Sequence, residues 1–228
     1  RSTLFPYTTL FRSRSKCYEE LSNEAILVED FVSGPEVGDT EYVASLSIEE
    51  RDRLANLVAD NYVEQILTDG FYHADPHAGN VLLVDGGIEW IDFGMMGTIS
   101  SKQRQNLLDI VTALVKRDNY GLKRAVLQIA HPRGPINHGE LLDMCEQMTS
   151  QYADSDLESF DTGNLLSTLQ GNLEAEGYDI DPFLTNLGRG LITIEGTVKA
   201  LSPRVNIMDC ITRHRNSGCD PDMLERMV

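Results

Sequence analysis

The sequence predicts an α+β fold that is mostly helical and contains one short β-hairpin. Several long stretches place apolar residues every three or four positions, which is the spacing of an amphipathic helix. Two apolar runs, residues 81–84 and 88–91, flank an Asp-Gly-Gly sequence that is typical of a tight β-turn. With 228 residues, 41% of them apolar, the chain can bury a core without disulfides.

An extended segment and a helix are predicted before the hairpin. Residues 25–32, AILVEDFV, are rich in β-formers and are followed by Ser-Gly-Pro, so we expect a strand that ends in a turn. Ser47 and Glu50 fit a capping box at the start of a helix. Apolar residues at helical spacing continue to residue 66, and Gly70 is expected to end this helix.

Helices dominate the sequence after the hairpin. Ser100 and Gln103 fit a second capping box, at the start of a helix with apolar residues from 107 to 115. The remaining predicted elements are a short helix over residues 118–130, a loop over 131–135, a helix over 139–152, an acidic loop over 154–163 and an amphipathic helix over 183–201 that Pro203 ends.

Charge and cysteine placement exclude several classes of protein. Asp and Glu number 36 against 19 Lys and Arg, a net charge of −17, and so acidic a surface repels nucleic acid. The four cysteines have no metal-ligand spacing, so we expect reduced thiols in a reducing compartment. No apolar stretch reaches the roughly 18 residues that cross a bilayer, so no part of this sequence is predicted to span a membrane.

The most informative stretch is residues 71–80, FYHADPHAGN, which is followed after the hairpin by Asp92-Phe-Gly. The hairpin strands begin one residue after Asn80 and end one residue before Asp92, so both side chains are expected at the same end of the hairpin. Amide and carboxylate oxygens suit Mg²⁺, and a metal held there would carry phosphate. Asp75, on the preceding loop, is predicted to orient or deprotonate an acceptor hydroxyl or a water. The pattern therefore predicts phosphoryl transfer.

The two histidines of this loop are further candidate catalytic residues. His73 is expected mainly to brace the loop through hydrogen bonds to the backbone. His77 lies two residues past Asp75, where a protonated ring would direct pH-dependent positive charge at phosphate. The competing hypothesis is a zinc- or iron-dependent hydrolase with His73, Asp75 and His77 as ligands. The hairpin disfavours it, because such a site does not require Asn80 or the Asp-Phe-Gly sequence.

These residues resemble the signature motifs of the UbiB/AarF-type atypical kinase-like family, which is associated with ubiquinone biosynthesis. Residues 69–80, DGFYHADPHAGN, look like its catalytic loop, and residues 91–97, IDFGMMG, look like its metal-binding hairpin. Residues 189–203, RGLITIEGTVKALSP, are similar to a late helix of the same family. Ala78 departs from the proline that is usual there. The resemblance runs over about residues 25–209 and implies the large, C-terminal lobe of a protein-kinase-like fold.

The resemblance also implies site residues, cofactors and partners. It implies ATP and Mg²⁺ as cofactors of a kinase or ATPase, Asp75 as the catalytic-loop aspartate, and Asn80 and Asp92 as the metal ligands. It places Asp30 and Phe31 at the hinge that contacts the nucleotide. The implied partners are ATP, lipid or quinone-pathway intermediates and other quinone-biosynthesis proteins, in the cytoplasm at the inner face of a membrane.

The sequence divides into four predicted segments. Residues 1–13 look like a translated sequencing adapter, residues 14–40 are hinge-like, residues 41–153 form the kinase-like core with loop and hairpin, and residues 154–228 form a C-terminal helical extension. No room for a small lobe precedes residue 25, so we expect a fragment that is inactive alone. The alternatives are a choline- or aminoglycoside-type small-molecule kinase, which Asp-Pro-His and the late helix disfavour, and a catalytically inactive remnant that binds a partner or lipid.

Overall fold

The computed structural model describes residues 17–84, 86–153 and 162–217 of the chain. The helices in these ranges are α1 (Thr40–Ser45), α2 (Ile48–Glu64), α3 (Ser101–Val115), α4 (Asn119–Val126), α5 (His138–Ala153), α6 (Thr162–Ala175), α7 (Pro182–Leu201) and α8 (Ile207–Ser217). The strands are β1 (Phe71–His73), β2 (Val81–Val84), β3 (Gly87–Trp90), β4 (Met96–Thr98), β5 (Ala130–Pro132) and β6 (Tyr178–Ile180). This is the mostly helical α+β fold that the sequence predicts. The adapter-like opening, Asp85 of the predicted turn and most of the predicted acidic loop lie outside the described residues.

Helix α2 leads into the predicted catalytic loop, residues 73–80, and forms where the sequence predicts it. The Ser47 hydroxyl caps its first turn by accepting a hydrogen bond from the Glu50 N–H at 3.1 Å. The helix widens into one π-helical turn, Gln65–Asp69, and Gly70, with φ +69°, ends it. A Cβ at Gly70 would lie 2.6 Å from the Ile99 carbonyl oxygen, so both the left-handed conformation and the close approach require glycine.

Two antiparallel strand pairs bring the catalytic loop and the end of the hairpin together. Strand β1 pairs with β4 along its length, and β2 pairs with β3 so that Val81 lies opposite Trp90. The Ile91 N–H then donates to the Asn80 carbonyl at 3.0 Å, which extends the hairpin ladder by one more bond. Because β1 leads into the loop and β4 follows the hairpin, the two pairs fix both ends of the segment between them.

The predicted strand over residues 25–32 is wrong. This run has one bridge, to Cys17, and is largely exposed, because no strand of the described residues covers it. The segment that runs beside the hairpin is instead residues 35–38. It lies antiparallel to β2, and the Val37 N–H donates to the Val81 carbonyl at 2.9 Å. The hairpin edge therefore pairs with the residues after the predicted strand rather than with the strand itself.

The second half of the chain departs from the prediction in its short elements. The helix predicted over residues 118–130 ends at Val126, and residues 130–132, of which 131–132 were expected in a loop, form β5 and pair with β6. Elsewhere in the described residues, α1, α6, α8, β1, β4 and β6 were not predicted from the sequence. Three-residue strands are too short to show alternation, so only the fold creates a recognisable pair.

Helix α7 forms as predicted and lies at the centre of the second half. The Asp181 carboxylate caps its first turn by accepting a bond from the Phe183 N–H at 3.1 Å, and the helix ends at Leu201, before Pro203. It packs against α2 and α6, and buried apolar side chains of all eight described helices join one core. None of the described helices is long and apolar enough to cross a membrane.

Candidate functional site

The catalytic loop, residues 73–80, is fixed by hydrogen bonds along its backbone. The Ala74 N–H donates to the Met95 carbonyl at 2.9 Å and so links the loop to the segment after the hairpin. The His77 N–H donates to the Asp75 carbonyl at 2.9 Å, and the Asn80 N–H donates to the His77 carbonyl at 2.8 Å. These bonds hold the loop in one backbone conformation and determine where its side chains lie.

Asn80 and Asp92 lie at the same end of the hairpin. Asn80 is buried, and its Nδ2 donates to the Asp75 carbonyl at 3.1 Å, which leaves the amide oxygen as the atom suited to a cation. Asp92 is exposed and has φ +56°, a left-handed conformation that aspartate adopts more readily than most residues. One of its carboxylate oxygens accepts a bond from the Gly94 N–H at 3.2 Å, which orients the group.

His73 is fully buried and joins the two halves of the site. Its Nδ1 accepts a bond from the Asp75 N–H at 3.2 Å, and its Nε2 lies 3.2 Å from the Ile91 carbonyl, to which it donates. Burial lowers the pKa of the ring, so the neutral form is favoured. The ring packs between Trp90 and Phe93, with centroid distances of 5.4 and 6.0 Å. Such contacts are those of a bracing residue.

Asp75 and His77 lie side by side at the surface of the loop. Nε2 of His77 is 4.0 Å from Oδ2 of Asp75, and the two side chains are 51% and 46% exposed, respectively. Nδ1 of His77 accepts a bond from the Gly79 N–H at 3.1 Å. A doubly protonated ring would lose that bond, so the positive charge expected of His77 requires a rearrangement of its contact with Gly79.

The amide oxygen of Asn80 and the carboxylate of Asp92 suit a magnesium ion that is bound together with phosphate. Mg²⁺ in nucleotide sites is commonly held by one or two protein oxygens, with phosphate oxygens and water completing the shell. The Asn80 amide oxygen and the Asp92 carboxylate meet that requirement. Within the described ranges no group of three or more His, Cys, Asp or Glu side chains could hold a metal. The zinc hypothesis fits less well, because both ring nitrogens of His73 are already hydrogen-bonded.

The predicted hinge residues, Asp30 and Phe31, lie apart from the catalytic loop. The Asp30 carboxylate accepts a bond from the Tyr18 hydroxyl at 2.7 Å, and Phe31 is 93% exposed. Both line an open cavity of ≈ 640 Å³ whose other walls are the start of α2 and the hairpin strands. Of the described residues that line it, none belongs to the catalytic loop. The structure therefore places Asp75 beside His77, and Asn80 and Asp92 at one end of the hairpin, whereas Asp30 and Phe31 line a separate cavity.

Three residues at the end of α2 and in the π-turn support the loop from behind, and their role was not predicted from the sequence: Asn61, Tyr62 and Gln65. The Tyr62 hydroxyl donates to the His73 carbonyl at 3.0 Å, and Gln65 Oε1 accepts a bond from the His73 N–H at 2.9 Å. Asn61 Oδ1 accepts a bond from Trp90 Nε1 at 2.7 Å. The available signal was the pair of amide residues four positions apart at the end of an apolar helix, since such groups need buried partners.

Glu36 was also missed and reaches the edge of the loop. A Cβ at Gly79 would lie 3.4 Å from a carboxylate oxygen of Glu36 and 3.1 Å from the ring of His77. The glycine therefore leaves room for both side chains. No sequence pattern marked Glu36, because its position depends on residues 35–38 pairing with the hairpin.

Comparison with known proteins assigns this loop and hairpin to a family. Residues 15–126 match the ABC1 atypical kinase-like domain. The chain is 28% identical over 199 residues to an uncharacterized aarF domain-containing protein kinase, chloroplastic, of Arabidopsis thaliana. It is 34% identical over 115 residues to the protein ACTIVITY OF BC1 COMPLEX KINASE 8, chloroplastic, of the same plant. It is 26% identical over 193 residues to an uncharacterized protein in the hydrogenase 1 5′ region of Clostridium pasteurianum.

The chain spans only part of each of these relatives. The three alignments cover 85%, 49% and 85% of this chain but 27%, 15% and 36% of the respective relatives. The matches confirm the predicted family resemblance and favour it over a choline- or aminoglycoside-type kinase. The predicted segment boundaries and the expectation of a fragment that is inactive alone stay predictions.

Proposed function

Because residues 15–126 match the ABC1 atypical kinase-like domain, we propose that the chain provides the catalytic loop and metal-binding hairpin of an ATP- and Mg²⁺-dependent atypical kinase or ATPase. The observation that carries this proposal is the position of Asn80 and Asp92. They flank one hairpin whose ladder continues to the Ile91 N–H and the Asn80 carbonyl, so the two oxygen donors are held at the same end. This arrangement suits a metal ion that holds the phosphates of a nucleotide.

The residues of the loop have distinct proposed roles. Asn80 and Asp92 hold Mg²⁺, which when bound neutralises the charge that develops on the transferred phosphoryl group. Asp75, whose carboxylate is half exposed, orients or deprotonates the acceptor hydroxyl or water. Asn80 also donates to the Asp75 carbonyl, so a shift of the metal ligand would displace the base with it.

The proposed acceptor is a lipid or quinone-pathway intermediate, in line with the family resemblance. We place the reaction at the inner, cytoplasmic face of a membrane, with the protein associated peripherally. Turnover measured with and without uncharged phospholipid vesicles that contain a quinone precursor tests this part. A rate that does not change with either the vesicles or the precursor would favour hydrolysis by water.

The central test is Mg²⁺-dependent ATP binding and turnover by the chain and three variants. Asp92→Asn is expected to abolish the dependence of nucleotide binding on Mg²⁺, because an amide is a weaker ligand than a carboxylate. Asp75→Asn should retain binding and lower kcat by roughly 10²-fold or more. Asp109→Asn, the same change on the exposed face of α3, is the control and should behave like the parent. Equal Mg²⁺-dependent ATP binding in the parent and Asp92→Asn would contradict the proposal, whether or not the chain turns ATP over.

A further inference from the structure

Helix α7 contacts the catalytic loop, although it lies outside the part of the chain that matches the family domain. That match ends at residue 126, and α7 spans Pro182–Leu201. Thr197 on this helix is 2% exposed, and its hydroxyl donates to the Pro76 carbonyl at 2.8 Å. Pro76 directly follows Asp75. The bond therefore joins the second half of the chain to the residue next to the proposed base.

The Thr197 hydroxyl has one proton and two acceptors within reach. The second acceptor is the Thr193 carbonyl at 3.2 Å, one helical turn earlier, which is a common local bond for threonine in a helix. The Pro76 carbonyl is the nearer of the two. It is also buried with its residue, and a buried carbonyl that loses its donor costs stability. The contact with the loop is therefore the one that the structure favours.

The other contacts of the loop show what this bond adds. The His73 carbonyl accepts a bond from Tyr62, and the Asp75 carbonyl accepts bonds from Asn80 Nδ2 and the His77 N–H. For the Pro76 carbonyl, the donor in the described structure is Thr197. Three carbonyls of the loop therefore accept hydrogen bonds: that of His73 from α2, that of Asp75 from within the loop, and that of Pro76 from α7.

A glycine in α7 makes room for one of these donors. A Cβ at Gly190 would lie 2.5 Å from the Tyr62 hydroxyl oxygen and 3.7 Å from the Ala74 carbonyl oxygen. The same helix thus shapes the loop in two ways, through the Thr197 hydroxyl and through the space at Gly190. Both lie in residues 189–203, the stretch that is similar to a late helix of the family.

We propose that Thr197 is a positioning residue for phosphoryl transfer, which fixes the loop backbone at Pro76 and thereby the direction of the Asp75 carboxylate. This inference rests on the proposed function. The Asp75 side chain is half exposed, and Nε2 of His77 lies 4.0 Å from its Oδ2 atom, so the direction of the carboxylate depends on the backbone that carries it. A displacement of the base by about 1 Å is enough to lower a rate by roughly 10²-fold.

Three variants of the full chain test the positioning role. Thr197→Val removes the hydroxyl with little change in shape, Thr197→Ser keeps the hydroxyl, and Thr193→Val is the matched control. Thr193 makes the same kind of bond one turn earlier in the helix, to the Arg189 carbonyl at 3.0 Å, and does not bond to the loop. We expect Thr197→Val to lower kcat at least about tenfold with KM for ATP nearly unchanged, and the other two variants to stay close to the parent. Equal kcat values for Thr197→Val and Thr193→Val would overturn the proposal.

A second measurement separates this inference from the proposed function. Hydrogen exchange of the His77 and Asn80 amides, which donate within the loop, reports loop fixation whether or not ATP is turned over. Faster exchange in Thr197→Val, with parental exchange in Thr193→Val and Thr197→Ser, supports the positioning contact even if no turnover is found. Unchanged exchange in Thr197→Val would contradict the positioning contact.

Discussion

The catalytic loop and the hinge-like segment before α1 differ in how many parts of the fold hold them. The loop accepts hydrogen bonds from Tyr62 of α2, from the Ile91 N–H just after β3 and from Thr197 of α7. His73 at its start is fully buried. Residues 17–34 are held mostly by local bonds, such as those from the Ala25 and Ile26 N–H groups to the Asn23 side chain. The loop proposed to be catalytic is therefore built into the core, whereas the segment predicted to be the hinge is attached to the surface of the described fold.

The largest effect on stability is expected from removal of the buried histidine of the loop. His73→Ala should lower the free energy of unfolding by about 2–4 kcal/mol, because it leaves a cavity and removes the partners of the Asp75 N–H and the Ile91 carbonyl. Urea denaturation measures the change. His131→Ala, at an exposed position of β5, is the matched control and should stay within about 0.5 kcal/mol. A loss of similar size in both variants would mean that the loop is not the more tightly held region.

A smaller loss of stability is expected from a substitution in α7 that faces the support of the loop. Gly190→Ala should cost about 1–3 kcal/mol, because its Cβ would overlap the Tyr62 hydroxyl and displace it from the His73 carbonyl. Gly188→Ala is the control, since its Cβ would meet only a side-chain carbon of Leu166 at 3.7 Å. Thermal unfolding of both variants measures the difference. Equal midpoints would show that the space at Gly190 is not required.

A smaller, pH-dependent effect is expected just before the loop, at Asp69. Burial raises the pKa of this carboxyl from 3.8 to about 6, and Glu64 adds to the rise. The folded state therefore binds this proton more tightly than the unfolded state, and the stability it contributes at low pH is lost as the pH rises through about 6. Asp69→Asn should remove this loss. Urea denaturation below pH 3.8 and above pH 6 should show that the free energy of unfolding of the parent falls relative to that of Asp69→Asn as the pH rises. Parallel pH dependence of the two proteins would refute the raised pKa of Asp69.

The smallest effect is expected on the hinge side. Phe31→Ala should change the free energy of unfolding by less than about 0.5 kcal/mol, because the ring is 93% exposed. Phe183→Ala at the buried start of α7 is a useful comparison and should cost several times more. If Phe31→Ala were as destabilising as Phe183→Ala, the hinge-like segment would be packed against the fold, and the contrast drawn above would be wrong.

The sequence predicted the local features of the site better than its supports. The hairpin, the capping of α2 by Ser47 and the ending of α2 at Gly70 follow from patterns within a few residues, and all are present. The strand over residues 25–32 was predicted from its β-forming residues and the Ser-Gly-Pro turn after it. That prediction is wrong, because a strand needs a neighbouring strand that such local signals do not provide. The contacts of Tyr62 and Gln65 with His73 depend on where α2 and its π-turn lie and could not be predicted from spacing.

The sequence by itself predicted the fold class, the family resemblance and the residues that we propose carry the chemistry. It did so because Asp75, Asn80 and Asp92 lie within one loop and one hairpin, where strand geometry sets which side chains meet. Only the tertiary structure decided how that loop is held. The bond from Thr197 to Pro76 joins residues 121 positions apart, and such a contact exists only when two helices and a hairpin have packed into one core.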